Sequence, residues 1–195
     1  MKTIFYVGSF KFPDQNAGAR RVHGVGMVLR EIGFNVIYLG SEIEGRTQDC
    51  VDVNEYNYEG FKYYPSKVQS GTMIQKASRL WHTYINGQSI ISRLEWLWSK
   101  DSVAIIAYQV SSLTMLKLKR FCDRKKAVFI SDVVEWYEPS HMFMGRYGPF
   151  ALDSEFRMRY LNKMADGVIV ISEYLKEYYV KKQKAGCQNS HPNRT

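Results

Sequence analysis

The chain has 195 residues, 45% hydrophobic and 24% charged, which is enough for one domain with a substantial core. Its net charge of +8 fits an anionic partner, a membrane surface or simple solubility; with no nucleic-acid-binding signature beside it, nucleic acid is set aside. Three separated cysteines (Cys50, Cys122, Cys187) and scattered histidines suit free thiols in a reducing compartment and leave no metal-ligand set.

No apolar run approaches the roughly 20 residues of a membrane helix, and MKTIFYVGSF has no leader-like stretch, so the sequence predicts a cytoplasmic protein. Residues 3–7 (TIFYV) read as a first buried strand, followed by a polar loop over 9–17. Over 20–32, Val22, Val25, Val28, Leu29 and Ile32 fall at helical spacing, and Gly33 is placed as the C-cap. Residues 34–39 (FNVIYL) complete a βαβ unit. The polar stretch 40–70 offers one strand, 61–64 (FKYY), before Pro65. Residues 72–100 read as helical with a break at Gly87, 103–108 as a strand, and 113–126 as a basic helix. A strand over 127–130, a helix over 153–164, a strand over 167–171 and a helix to Lys182, capped by Ser172, complete the order. Near-continuous apolar strands alternating with helices predict an α/β, Rossmann-like three-layer sandwich with a mainly parallel sheet. The expected domain covers 1–182, with 183–195 (QKAGCQNSHPNRT) as a polar, disordered tail.

Ligands of open α/β sheets bind beyond the carboxyl ends of the strands. That directs attention to FISDVVEWYEPSHM, where an apolar strand runs into Asp132, Glu135, Trp136, Tyr137 and His141, residues suited to a polyol cleft. A dinucleotide fingerprint is absent, because GSFKFPDQNAGARR after the first strand separates Gly8 from Gly18, and Gly24 and Gly26 lie inside the helix. Neither a P-loop nor a G-x-S-x-G elbow occurs. What stands at this position is a loop entering a helix at Gly18, Arg20 and Arg21. Backbone approach at the glycine, helix N–H groups and two guanidinium groups there suit a phosphate; a plain capped loop is the alternative.

The first strand, its glycine-ended loop and LREIGFNVIYLG together resemble the N-terminal half of GT-B glycosyltransferases. AIIAYQVSSLTMLKLKRFC followed by AVFISDVVEWY, and RMRYLNKMADGVIVISEYLKEYY, resemble the family-four members of that fold. The resemblance covers residues 1–179 and implies one half of a GT-B architecture. It implies an acceptor-binding half that works with a second, nucleotide-sugar-binding domain, without cofactor, on a glycan or lipid-linked acceptor in polysaccharide synthesis. By resemblance, Gly18 with Arg20 and Arg21 faces the donor phosphates or the acceptor, Tyr108 and Gln109 line the acceptor cleft, and Ser172 and Glu173 lie at its last edge. Asp132 and Glu135 are the candidate catalytic acids, with Trp136 and Tyr137 beside them, and His141 falls several residues later than the family's histidine. The family's second domain carries a glutamate pair that helps hold the donor, and no pair with its spacing occurs here. The expectation is therefore an acceptor half alone, inactive by itself, as a truncated product rather than a split-enzyme subunit.

Trp81, Trp96 and Trp98 together with the basic helix could dock on a lipid headgroup surface at the inner face of the membrane; core aromatics with a solvated basic face are the competing reading. For function, a non-catalytic α/β sugar- or anion-binding module and a nucleotide-binding regulator of flavodoxin-like topology are the alternatives.

Overall fold

The computed structural model of the chain describes residues 1–10, 12, 16–40, 55–64, 87–134 and 147–188, the side chains of 182–188 excepted. In chain order the elements are β1 (Thr3–Gly8), α1 (Ala17–Glu31), β2 (Asn35–Gly40), β3 (Tyr56–Tyr58), β4 (Phe61–Tyr64), α2 (Gln88–Leu97) and β5 (Ser102–Tyr108). They continue with α3 (Ser112–Lys125), β6 (Val128–Val133), α4 (Pro149–Arg159), a 3₁₀ turn (Leu161–Met164), β7 (Gly167–Val170) and α5 (Glu173–Gln188). The seven strands form one sheet in the order β3-β4-β2-β1-β5-β6-β7. All pairs are parallel except β3 with β4. This is the α/β, Rossmann-like sandwich expected from the alternation of apolar runs and helices.

The winding reverses at β1, which has β2 on one side and β5 on the other. Register then places Gly8, Tyr108 and Asp132 in one row across the carboxyl ends of β1, β5 and β6. Side chains alternate along the strands, so the core divides into two layers. Phe5, Val7, Ile105, Ala107 and Phe129 pack toward α2 and α3 with Leu94, Met115, Leu118 and Phe121. Ile4, Tyr6, Tyr38, Ile106 and Tyr108 pack on the opposite face with Ala19 and Val22 of α1. Side chains such as Phe5 and Leu39 are almost wholly buried, each worth about 1.5–3 kcal/mol of transfer free energy.

Helix α1 begins at Ala17, not at Arg20, because Asn16 caps it by accepting from the Ala19 amide at 2.7 Å. Gly18, Arg20 and Arg21 therefore sit in its opening turns rather than on a loop. Strand β6 runs to Val133, past Ile130, so Ser131 and Asp132 are strand residues. The strand tolerates them because each polar group is bonded. Ser131 donates to Asn162 at 2.8 Å, and Asn162 donates to Tyr179 at the same distance. α4 starts at Pro149, ahead of the expected Asp153, and proline is well suited to a first helical turn. Its regular helix ends at Arg159 and the 3₁₀ turn carries the chain to Met164. α5 continues beyond Lys182 to Gln188.

The stretch that the sequence left hard to read contains a hairpin. β3 and β4 are joined by Glu59 and Gly60, with φ of 49° and 81°, the two left-handed positions of a type I′ turn. Among the tryptophans, Trp81 lies outside the described residues and Trp96 is exposed. Trp98 belongs with the core, stacked on Phe5 and edge-on to Phe121. The basic face of α3 is partly neutralised by ion pairs from Lys119 to Asp123 and from Arg124 to Glu95.

The seam between α1 and β2 needs a glycine at one place only. A Cβ on Gly26 would stand 1.7 Å from the Tyr38 hydroxyl, whereas one on Gly24 meets nothing within 4 Å. Gly26→Ala should lower stability by about 1–3 kcal/mol through overpacking, and Gly24→Ala should raise it by about 1 kcal/mol. Denaturant melts of both variants test this, and equal effects would contradict the packing described.

Cys122 lies fully buried beneath α3, and burial pushes its thiol up to about 12, the charge of Lys119 offsetting only part of this. In the unfolded chain a thiol ionises near pH ~8.5, so the folded state binds the extra proton between there and about pH 12. This contribution to stability is complete below that window and lost across it as pH rises. Native Cys122 should resist iodoacetamide at mildly alkaline pH and react on unfolding, as peptide mapping would show. Rapid native alkylation would refute its burial.

Candidate functional site

The row Gly8–Tyr108–Asp132 lies at the carboxyl ends of β1, β5 and β6, where the sheet reverses its winding, the position at which such folds bind ligands. Its centre is the Asp132 carboxylate, whose side chain has no exposed surface. Arg21 reaches it from α1 with two bonds, Nη2 to Oδ1 at 2.6 Å and Nε to Oδ2 at 3.3 Å. Tyr6, two residues before the end of β1 and on the same face, donates its hydroxyl to Oδ2. Asp132 is thus held on both oxygens.

The electrostatics follow from this burial. Burial and the neighbouring carboxylate both hold the Tyr6 hydroxyl far above the ordinary tyrosine range, so it remains a donor. For Arg21, burial acts to lower the pKa, but the hydrogen bonds and charge of Asp132 outweigh it and raise it. The Arg21 side chain is 24% exposed, and its Nη1 makes no hydrogen bond among the described residues. The result is a fixed, partly exposed cation at this strand end, oriented from beneath by a carboxylate with no exposed surface.

Gly18 has a packing role here. A Cβ at this position would stand 2.6 Å from the Tyr108 hydroxyl, so the glycine lets α1 begin directly over that ring. Gly8 is equally constrained, since a Cβ there would come within 1.9 Å of the Tyr108 carbonyl oxygen. Gln109 follows with φ of 46°, an uncommon left-handed conformation for a non-glycine residue at the lip of the crevice. At the end of β6, Gln109, Ser131, Asp132, Arg157, Met158 and Asn162 are among the residues lining a cleft. Arg157 donates to the Val110 carbonyl at 3.0 Å, and Asp153 accepts from the Ser112 amide at 3.0 Å. α4 is thereby tied to the turn that leaves β5.

The structure brings Gly18, Arg21, Tyr108, Gln109 and Asp132 together at this strand end. Arg20 is exposed on the opening turn of α1. Ser172 and Glu173 stand beyond β7 with local bonds: Ser172 accepts from the Leu175 amide at 3.3 Å, and Glu173 pairs with Lys176 at 2.9 Å. Glu135, Trp136, Tyr137 and His141 lie outside the described residues. Sequence reasoning missed Tyr6, Arg157 and Asn162. Tyr6 looked like one more apolar strand residue, and only its register beside Asp132 distinguishes it. Asp166, in the ADGVIVIS segment, accepts from the Phe129 amide at 2.8 Å and so closes the start of β6 onto β7. Among the described residues, no group of three or more His, Cys, Asp or Glu side chains could hold a metal ion. No helix among them is long and apolar enough to cross a membrane.

No protein-family model matches the chain. No curated protein matches it either. Among solved structures, the sucrose-phosphate synthase of Thermosynechococcus elongatus is similar, with a TM-score of 0.53 and 15% identity. The match covers 93% of this chain and 45% of the synthase, so the chain spans under half the length of that protein. The likeness is one of fold: a glycosyltransferase-like α/β sandwich, consistent with one half of a GT-B architecture.

Removing single members of the buried triad should rank them by what each leaves behind. Arg21→Ala strands a carboxylate with no exposed surface and should cost about 4 kcal/mol. Asp132→Ala strands a guanidinium that can partly rehydrate, about 3 kcal/mol, and Tyr6→Phe removes one hydrogen bond, about 1–2 kcal/mol. Chemical denaturation of the three variants checks the order. If Tyr6→Phe proved the most damaging, the ion pair would not be the centre of the network.

Proposed function

We propose that this chain is the N-terminal, acceptor-binding half of a glycosyltransferase, which moves a sugar from a nucleotide-sugar donor to a glycan or lipid-linked acceptor. In this reading the donor is held by a second domain, and the half described here is inactive alone. The observation that carries it is the Arg21 guanidinium held by buried Asp132 at the switch point of a glycosyltransferase-like fold.

The chemistry that such a site can supply is electrostatic. A transferring sugar leaves a diphosphate behind, and a pre-oriented cation stabilises that developing charge without reorganising. Arg21 would face the phosphates or an acceptor hydroxyl, with Gly18 and Arg20 beside it on the opening turn of α1. Tyr108 and Gln109 would contact the acceptor, and Ser172 and Glu173 would border the far edge. Asp132 acts through Arg21 as a positioning residue, because its two oxygens are already engaged. A base for the attacking hydroxyl would then be Glu135, with Trp136, Tyr137 and His141 as sugar-contacting neighbours. Closure of two domains would bring donor and acceptor into reacting geometry.

One observation favours the non-catalytic sugar- or anion-binding module instead: the acid at the centre of the crevice is sealed from solvent. Titration calorimetry with soluble oligosaccharides, UDP-glucose and GDP-mannose tests the acceptor-half reading. The acceptor-half reading expects saccharide binding that weakens about tenfold or more in Arg21→Gln, the loss of one charge-assisted hydrogen bond, with no tight binding of either nucleotide sugar. Tight nucleotide-sugar binding by this chain alone would overturn the division of labour proposed. The melting curve of Arg21→Gln separates lost binding from lost folding.

A further inference from the structure

Among the described residues, three other than glycine hold a left-handed backbone: Glu59 at φ 49°, Gln109 at 46° and Lys126 at 55°. Local structure accounts for two of them. Glu59 lies in the turn between β3 and β4, and Lys126 closes α3, its amide reaching the Asp123 and Cys122 carbonyls. Gln109 serves neither purpose. It follows the last residue of β5 and stands two residues ahead of α3 and its cap, Ser111. In a residue with a Cβ this conformation carries a cost that glycine does not incur, and outliers of this kind gather at functional sites.

The chain is fixed on both sides of Gln109. The Tyr108 carbonyl accepts from the Ser9 amide at 3.2 Å, which ties the end of β5 to the end of β1. The Val110 side chain is buried, and its carbonyl accepts from Arg157 at 3.0 Å. Ser111 then accepts from the Thr114 amide to cap α3. A single residue must turn the chain between these anchors, so the turn itself is structural. Nothing in the turn calls for glutamine, because glycine would make it at lower cost. What glutamine adds is a carboxamide on the wall of the cleft at the end of β6.

A carboxamide both donates and accepts hydrogen bonds, as a sugar hydroxyl does, whereas an anion uses only its donors. In the same cleft Ser131 gives its proton to Asn162, so its oxygen can still accept from a ligand hydroxyl. Val134 and Met158 supply apolar lining, suited to the C–H face of a sugar ring.

We propose that Gln109 is a specificity-determining residue, holding a hydroxyl of an uncharged saccharide through its carboxamide, and that its strained backbone is kept for this contact. The proposal rests on the acceptor-half reading and narrows it. It adds a contact that Arg21, which does not line this cleft, cannot make.

Thermal melts and titration calorimetry with maltotriose, cellotriose and mannotriose, all uncharged, test it. Gln109→Gly should melt about 2 °C above the wild type, because the strain is relieved. The same variant should bind about tenfold more weakly the trisaccharide that the wild type binds, the loss of one or two hydrogen bonds. Gln109→Ala keeps the strain and lacks the carboxamide, so it should lose binding equally with no gain in melting temperature. A stabilised Gln109→Gly that binds as the wild type does would overturn the role of the carboxamide and leave the acceptor half standing. Weakened binding with no rise in melting temperature would show that no strain is stored for function, and overturns the proposal too. A wild-type chain that binds none of the three sugars would remove both this contact and the acceptor-half reading beneath it.

Discussion

The buried carboxylate of Asp132 is the constraint around which the rest of the crevice is arranged. A charge with no access to water costs several kcal/mol unless it is compensated in place. Compensation here comes from two directions, Arg21 on α1 and Tyr6 on β1, so one side chain on β6 ties together a helix and a strand that it does not adjoin in sequence. Register is what permits this. Tyr6 and Asp132 share the face of the sheet that α1 covers, and slipping β6 by one residue would turn the carboxylate to the other face.

Two further contacts make the arrangement possible. Gly18 lets the opening turn of α1 lie on the Tyr108 ring, and Gly26 lets the same helix pass over the Tyr38 hydroxyl. Either glycine replaced by a larger residue would lift α1 from the sheet and with it the guanidinium. On the opposite face the Ser131–Asn162–Tyr179 chain of hydrogen bonds does the corresponding work for α5 and the 3₁₀ turn. β6 therefore carries two adjacent polar residues just before its last one, one satisfied on each side of the sheet, which explains how a strand this polar stays buried.

This arrangement separates holding from reacting. The acid most conspicuous in the sequence is the one least able to exchange a proton with a ligand, because both its oxygens are occupied. The group it presents at the crevice is Arg21. A cation fixed in this way meets an incoming anion or hydroxyl with little entropy left to lose.

The order of strands and helices was legible in the sequence because buried parallel strands are short, near-continuous apolar runs, and TIFYV, FNVIYL and VAIIAY are of that kind. The crevice at the strand ends was legible too, since Gly18, Arg21, Tyr108, Gln109 and Asp132 all come to it. The hairpin of β3 and β4 was half missed, because YNY is short and polar and its turn, Glu59–Gly60, lacks the asparagine or aspartate that usually announces a type I′ turn. Local pattern by itself determined which segments are buried and which residues fall at the strand ends, because burial and periodicity are properties of neighbouring residues. Only the tertiary structure decided what Asp132 does and who its partners are. Arg21 and Tyr6 are more than a hundred residues away along the chain, and a pairing across that distance is set by sheet register and helix placement, which no local pattern encodes.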